Sequence, residues 1–313
     1  MKSLCLAARG IRFDRAYCNQ SVCAASRNSL MLNKLPRRPY HRPMKRLLAA
    51  ALMVLPALAE NPLSVALVSE AKAIAPGQTF MVGLHLKPPQ GFHTYWKHPG
   101  IVGLATSVEW SLPPGFSAGE IQWPAPETVK MARYTAQGYR GETLLIVPMT
   151  APLDLTGKEV SLIARVSWMC CGTQCHPAAK VPFTIILPVA ATAAADPGTR
   201  PLFEKFRDRL PTADPAWSSR FERIDDHLVL TLKSNDPAVT RDVSELGALR
   251  FFTADGQVDS DGEQTVTVGP GQTLRLKLPV SGSSPAAAKR LPGVLHAEKS
   301  WRRDGGSVDL EIR

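Results

Sequence analysis

From residue 60 onward the apolar and polar positions alternate in short runs. Phe80, Val82, Leu84 and Leu86 alternate with Met81, Gly83 and His85. Val160, Leu162, Ala164, Val166 and Trp168 alternate with Ser161, Ile163, Arg165 and Ser167, and Val181, Phe183, Ile185 and Leu187 repeat the pattern. A period of two puts one row of side chains on a common face, as in a half-buried strand. Ala75-Pro76-Gly77, Pro113-Pro114-Gly115 and Thr156-Gly157 punctuate the runs as turns. Short strands separated this way predict an antiparallel β-sandwich over residues 60–190. The stretch from Ala190 to Gly198 is low in complexity and predicts a linker at 191–198.

Beyond the linker, Leu202 to Leu210 carries apolar residues at helical spacing between Pro201 and Pro211, which predicts a short helix. Alternating runs return at Leu228/Leu230/Leu232, Val266/Val268, Leu274/Leu276/Leu278 and Val308/Leu310/Ile312, with Phe251-Phe252 between them. Asp255-Gly256 reads as a hairpin turn. Residues 199–313 are therefore expected to form a second, smaller β-sandwich, with a structural or partner-binding role.

The first 59 residues have another character. Met44-Lys45-Arg46 precedes thirteen uncharged residues, Leu47 to Ala59, which end Ala57-Leu58-Ala59. A basic start, a short apolar run and an A-x-A end mark a signal peptide at 44–59, hence export from the cytoplasm. Residues 1–43 are then expected to be a non-native or disordered upstream extension. The chain has 37 Lys+Arg, 27 Asp+Glu and a net charge of +10. Residues 1–59 hold 11 of the bases and one acid, Asp14; subtraction leaves 26 of each over 60–313. The excess charge sits in the leader, so it does not support nucleic-acid binding. Proline, 27 of 313 residues, is well above its usual ~5% share and argues against long helices. The longest apolar run falls short of the ~20 residues of a spanning helix, so no transmembrane segment is expected in the mature chain.

Cys5, Cys18 and Cys23 fall in the leader; Cys170, Cys171 and Cys175 lie within six residues at the tip between two alternating runs. If the parity of Val160 to Trp168 continues, Cys170 points into the core and Cys171 points away. Accessible thiols react and buried ones do not, which favours Cys171 with Cys175 as the working pair. Three readings stay open: a structural disulfide, a redox pair, or a soft Cu(I) or zinc site built from three thiols and His176. His93 and His98 are not spaced for a helical metal site, and neither a nucleophile elbow nor a P-loop is present. Asp259-Ser260-Asp261-Gly262 lacks a full calcium ligand set and reads as a solvated turn.

Trp168, Cys171, Cys175 and Pro177 fit a W-x-x-C-x-x-x-C-x-P pattern. Upstream, in order, stand Gly91 to Gly100 (GFHTYWKHPG), Val108-Glu109-Trp110, Ile121 to Pro126 (IQWPAP) and Gly138 to Glu142 (GYRGE). Together these resemble the N-terminal periplasmic region of DsbD/ScsB-type thiol:disulfide interchange proteins, closely over about 60–190 and more loosely over 199–313. The resemblance implies an all-β fold of two immunoglobulin-like β-sandwich domains, the second opening with the short helix. It also implies a reversible Cys171/Cys175 pair that takes electrons from a membrane-embedded electron-transfer protein. The pair passes them to periplasmic thioredoxin-like or disulfide isomerase proteins, and no cofactor is needed. A cap near Trp123–Arg140 would shield the pair, with Tyr95, Tyr139 and His176 cap- or site-adjacent and Cys170 a possible third thiol. The alternative function is a copper-binding or redox-silent adaptor of the same fold.

Overall fold

In the computed structural model, which describes residues 61–313, the alternating runs are strands. The expected extension at 1–43 and signal peptide at 44–59 lie outside the described residues. The first region forms β1 (Ser64–Ser69), β2 (Ala71–Ala73), β3 (Thr79–Lys87), β4 (Thr94–Gly100), β5 (Ser107–Ser111) and β6 (Ser117–Ala118). It continues with β7 (Glu127–Met131), β8 (Tyr134–Tyr139), β9 (Thr143–Thr150), β10 (Glu159–Cys171), β11 (Cys175–Pro188) and β12 (Ala194–Ala195), followed by helix α1 (Arg200–Arg207). The second region forms β13 (Trp217–Ile224), β14 (His227–Ser234), β15 (Leu249–Thr253), β16 (Thr265–Gly269), β17 (Thr273–Pro279), β18 (Gly293–Ala297) and β19 (Asp309–Ile312).

The molecule is all-β in class and immunoglobulin-like in build. Sheet β1-β3-β9-β6 faces sheet β11-β10-β5, and every pairing in both is antiparallel. The strand period does the sorting. Val160, Leu162, Ala164, Val166, Trp168 and Cys170 of β10 are all buried, and they meet Val82, Leu84, Leu86, Leu145 and Val147 of the facing sheet. The second region pairs β13-β14-β17-β16 and β15-β18-β19 around Leu228, Leu230, Leu274, Leu276, Leu295 and Leu310. Trp217 and Trp301 meet edge-on there at 5.3 Å.

Several expectations need revising. Asp255-Gly256 is a turn, with Gly256 at φ +81°, but it joins no hairpin: β15 pairs with β18 and β16 with β17. Val266 and Val268 lie on the edge strand β16 and remain exposed rather than entering the core. Residues 194–195 do not hang free within the low-complexity stretch; they pair with β2. Helix α1 sits in the expected place along the chain, yet it packs on the first sandwich. Its Phe203 and Phe206, three apart and on one face, cover Leu144 and Ile146 of β9. This is why Leu144-Leu145-Ile146-Val147 is apolar without alternation: β9 is buried on both faces. Gly83 on β3 leaves the space, since a Cβ there would meet both Leu144 and Phe203.

A carboxylate ties the helix down. Glu142 accepts from Lys205 Nζ at 2.7 Å and lies 2.8 Å from His85 Nε2. The Lys205 ammonium, joined by His85, holds the Glu142 carboxyl down at about 2 against an ordinary 4.5. A depressed carboxylate stabilises the fold above its unfolded value, and that contribution is lost as pH falls from about 4.5 towards 2. The pair is partly exposed, so the contribution is at most ~1 kcal/mol. Glu142→Gln should therefore narrow the stability gap between pH 7 and pH 3, read by urea unfolding at both; an unchanged gap would refute the linkage.

The two sandwiches pack as one unit. Phe252 of β15 and Val294 of β18 turn outward from their own core and join the cluster around Trp96 and Tyr139. The Asp259–Gly262 loop, expected to be solvated, sends Ser260 into this junction, where it is 3% exposed.

Candidate functional site

Strand β5 leaves β10 at Ser107↔Ser167, and the β10–β11 hairpin runs on beyond it to the tip, where the edge of β10 meets His93. The ladder slips between Val166 and Trp168, where Lys180 on β11 takes φ +53° and donates its backbone N–H to Ser167 Oγ. The one extra residue is accommodated on β11, so the parity of β10 survives to its end. Cys170 then pairs with His176, and Cys171 with Cys175, the last rung before the turn Gly172-Thr173-Gln174. Being directly opposite with a Cα separation of 4.1 Å, Cys171 and Cys175 form a disulfide.

The two faces of this tip differ sharply. Cys170 faces the sandwich core beside Trp168 and Ala164 and is fully buried. Burial pushes its thiol up to about 11, so at neutral pH it stays protonated and inert. Cys171 faces the other way, as the strand period requires, but it is not accessible. A separate sheet, β4-β8-β7, closes over it as a flap. Tyr95 of β4, Val129 of β7 and Ala136 of β8 bury Cys171 completely, with Met131 and Met169 at the margin. Cys175, at the other end of the bond, is exposed. The pairing expected from parity is present; the expectation that Cys171 would be open is overturned by a flap that approaches from distant parts of the chain.

The flap is anchored at its root. His93 N–H donates to the Cys171 carbonyl at 2.8 Å, and Cys171 N–H donates to the His93 carbonyl at 3.0 Å. The His93 ring lies 3.1 Å from the Tyr95 hydroxyl through Nε2. Burial, with the Arg140 charge adding to it, holds the His93 imidazole below its ordinary value, so it is neutral near pH 7. From there β4 pairs with β8 at Thr94↔Tyr139 and Tyr95↔Gly138. Gly138 is needed for the approach, because a Cβ there would collide with the Thr94 carbonyl oxygen. Gly138→Ala is expected to part β4 from β8 and to speed reduction of the disulfide by dithiothreitol at least several-fold. Equal rates in the two proteins would show that the flap does not shield the bond.

The remaining candidates separate. Tyr95 lies beneath the flap against Cys171. Tyr139 belongs to the flap strand but packs in the sandwich core with Trp96, its hydroxyl donating to the Pro124 carbonyl at 2.8 Å, and not in the cluster around Cys171. His176 shares a rung with Cys170, and its ring sits 5.9 Å from that of Phe92. The three-thiol metal site is not assembled: two sulfurs are joined to each other and the third faces the core. Among the described residues no group of three or more His, Cys, Asp or Glu gathers where a metal ion could bind. Sequence reasoning missed His93, Val129 and Ala136. His93 stood within the Gly91–Gly100 block, and the other two carried no signal beyond their place in the expected cap.

The tip, its cover and its exposed end can be set beside known proteins. The family model described as thiol:disulfide interchange protein DsbD, N-terminal, matches residues 64–185. No curated protein sequence matches the chain. The N-terminal periplasmic domain of ScsB from Proteus mirabilis superposes with a TM-score of 0.56 at 16% identity, over 82% of this chain and 95% of that one, a likeness of fold. The sporulation control protein Spo0M from Bacillus subtilis gives only 0.21 at 9% identity, over 80% of this chain and 90% of its own, and carries no argument. The segment that holds the covered disulfide, residues 64–185, thus matches the DsbD N-terminal family of thiol:disulfide interchange proteins.

Proposed function

We propose that the chain is an exported electron carrier. It receives electrons from a membrane-embedded electron-transfer protein and delivers them, through Cys171 and Cys175, to periplasmic thioredoxin-like or disulfide isomerase proteins. The observation that carries this reading is the asymmetry of the bond, with Cys175 exposed and Cys171 sealed beneath the flap. A disulfide meant only to pin a loop has no need of a dedicated cover. A bond that must resist stray thiols yet open to a docked partner does.

Chemistry follows from the same asymmetry. A donor thiolate attacks Cys175 Sγ, the Cys171–Cys175 bond breaks, and the electron pair leaves on Cys171 Sγ, which takes up a proton. The donor's second thiol then attacks the mixed disulfide, so the donor becomes oxidised and the pair becomes a dithiol. In delivery, the Cys175 thiolate attacks the acceptor's disulfide, and Cys171 resolves the intermediate. Two electrons move in each half and no cofactor is consumed.

The test is to mix the oxidised chain with a reduced thioredoxin-like protein and alkylate at intervals. A carrier gains two alkylatable thiols, at Cys171 and Cys175, and returns to the disulfide when an oxidised acceptor is added. A redox-silent adaptor would bind and leave the disulfide untouched, which would refute the proposal.

A further inference from the structure

Strand β8 has two edges, and only one is paired throughout. β7 runs along it from Glu127↔Gly138 to Met131↔Tyr134. On the other edge β4 pairs at Tyr139 and Gly138, then bows away and returns only at Gly100↔Ala136. Backbone groups left open and dry would be costly, so something must take them up. The second sandwich does so. Thr135 N–H donates to Asp261 Oδ1 at 2.7 Å, and Ser260 Oγ donates to the Thr135 carbonyl at 2.9 Å. Ser260 Oγ also accepts from Ile101 N–H at 3.1 Å.

Two positions further on, the Gln137 side chain reaches in the opposite direction. Its Oε1 accepts from Thr253 N–H at 2.8 Å, while Nε2 donates to the Thr253 carbonyl at 2.9 Å and to the His98 carbonyl at 2.6 Å. Gln137 and Thr253 are both buried. The surfaces meet closely on both sides. A Cβ on Gly100 would strike Ser260, and a Cβ on Gly256 would strike the His98 ring; both glycines also hold positive φ. The strand gripped in this way is the one that sets Ala136 over Cys171.

We propose that the second sandwich is a brace for the flap. By gripping β8 at Thr135 and Gln137, it decides whether Cys171 is reachable, and with that which sulfur of the pair reacts. Thr253, Ser260 and Asp261 are positioning residues: they touch β8 and not the disulfide cluster. The hold on the flap also gives the second region a task that its lack of cysteine and of catalytic spacing left open. The inference depends on the Cys171–Cys175 bond and its cover, and not on which protein exchanges with it.

The three cysteines of one tryptic segment, Val166–Lys180, supply the test. The full chain is reduced, freed of reductant and alkylated briefly with iodoacetamide, and the tags are located by mass spectrometry. In the unaltered chain Cys175 labels fast, Cys171 slowly and Cys170 hardly at all. Ser260→Ala/Asp261→Ala removes both bonds to Thr135 and should raise the Cys171 rate roughly tenfold, as loss of two ordinary hydrogen bonds allows. The Cys170 rate should not move. Asp261→Ala alone, at an exposed position, should give a smaller rise and guards against misfolding of the double variant. An unchanged Cys171 rate in both variants would mean that β4 alone holds the flap, and the proposal fails. A parallel rise at Cys170 would mean that the whole sandwich has loosened, which overturns it equally. Neither result depends on exchange with a thioredoxin-like protein, so failure here is distinct from failure of the carrier reading.

Discussion

Cys171→Ser should react with a disulfide once and stop, whereas Cys175→Ser should hardly react at all. With 5,5′-dithiobis(2-nitrobenzoate), the reduced pair attacks through Cys175 and releases one thionitrobenzoate. Cys171 then displaces the second and restores the Cys171–Cys175 bond. In Cys171→Ser the first step proceeds and the second cannot, so the adduct stays on Cys175 and is seen as a mass increase on the Val166–Lys180 peptide. In Cys175→Ser the remaining working thiol lies under Tyr95, Val129 and Ala136, fully buried, and adduct formation should be slower by orders of magnitude. The proposed cycling with a thioredoxin-like partner should be lost in both variants, and only Cys171→Ser should trap the mixed disulfide. Cys170 does not rescue it. Its side chain faces the core on the opposite side of β10, and burial holds its thiol up near 11. Adding Cys170→Ser to Cys171→Ser should therefore leave the trapped yield unchanged. Equal trapping by the two single variants would overturn the assignment of Cys175 as the attacking thiol.

Phe203→Ala should lower the stability of the chain by about 3–5 kcal/mol, the usual cost of removing a buried phenyl ring and leaving a cavity. The ring is wholly buried against Leu144 and Ile146 beside Gly83, and with Phe206 it makes up the apolar contact that docks this short helix, whose other ties are the partly exposed ion pairs Lys205–Glu142 and Arg207–Glu70. Loss of the ring also uncovers the outer face of β9, which is apolar on both sides. Lys205→Ala on the same helix removes only a half-exposed ion pair with Glu142 and should cost ~1 kcal/mol or less. Urea unfolding of the two variants side by side reads the contrast. A loss below about 1 kcal/mol for Phe203→Ala would mean that the helix is not docked on the first sandwich.

Much of this molecule was legible because strand periodicity is local. Each buried residue of β10, from Val160 to Cys170, follows from a two-residue repeat. That repeat survives the slip at Val166/Trp168 because β11, not β10, takes up the one extra residue. The same count assigns Cys170 and Cys171 to opposite faces, while the register of the β10–β11 hairpin sets Cys171 across from Cys175. The helix at Arg200–Arg207 was equally legible, with Phe203 and Phe206 on one stripe between two prolines. Its destination was not, since nothing local says which sheet receives a stripe of two phenylalanines. The matching surface, Leu144 and Ile146, lies almost sixty residues upstream.

The amino-acid order alone thus determined two β-sandwiches, a helix between them, and three cysteines at a hairpin tip with Cys170 turned inward. Tertiary structure alone decided that Cys171 is sealed and Cys175 open, that Tyr139 packs in the core while Tyr95 lies against the disulfide, and that Ser260 enters a buried junction instead of solvent. The reason is physical. A period of two fixes which way a side chain leaves its own strand, and backbone geometry enforces it within a few residues. Whether that side chain then meets water or protein depends on segments brought from far along the chain, here β4, β7, β8 and the loop at Asp259–Gly262. Their arrival is settled by the packing of the whole molecule.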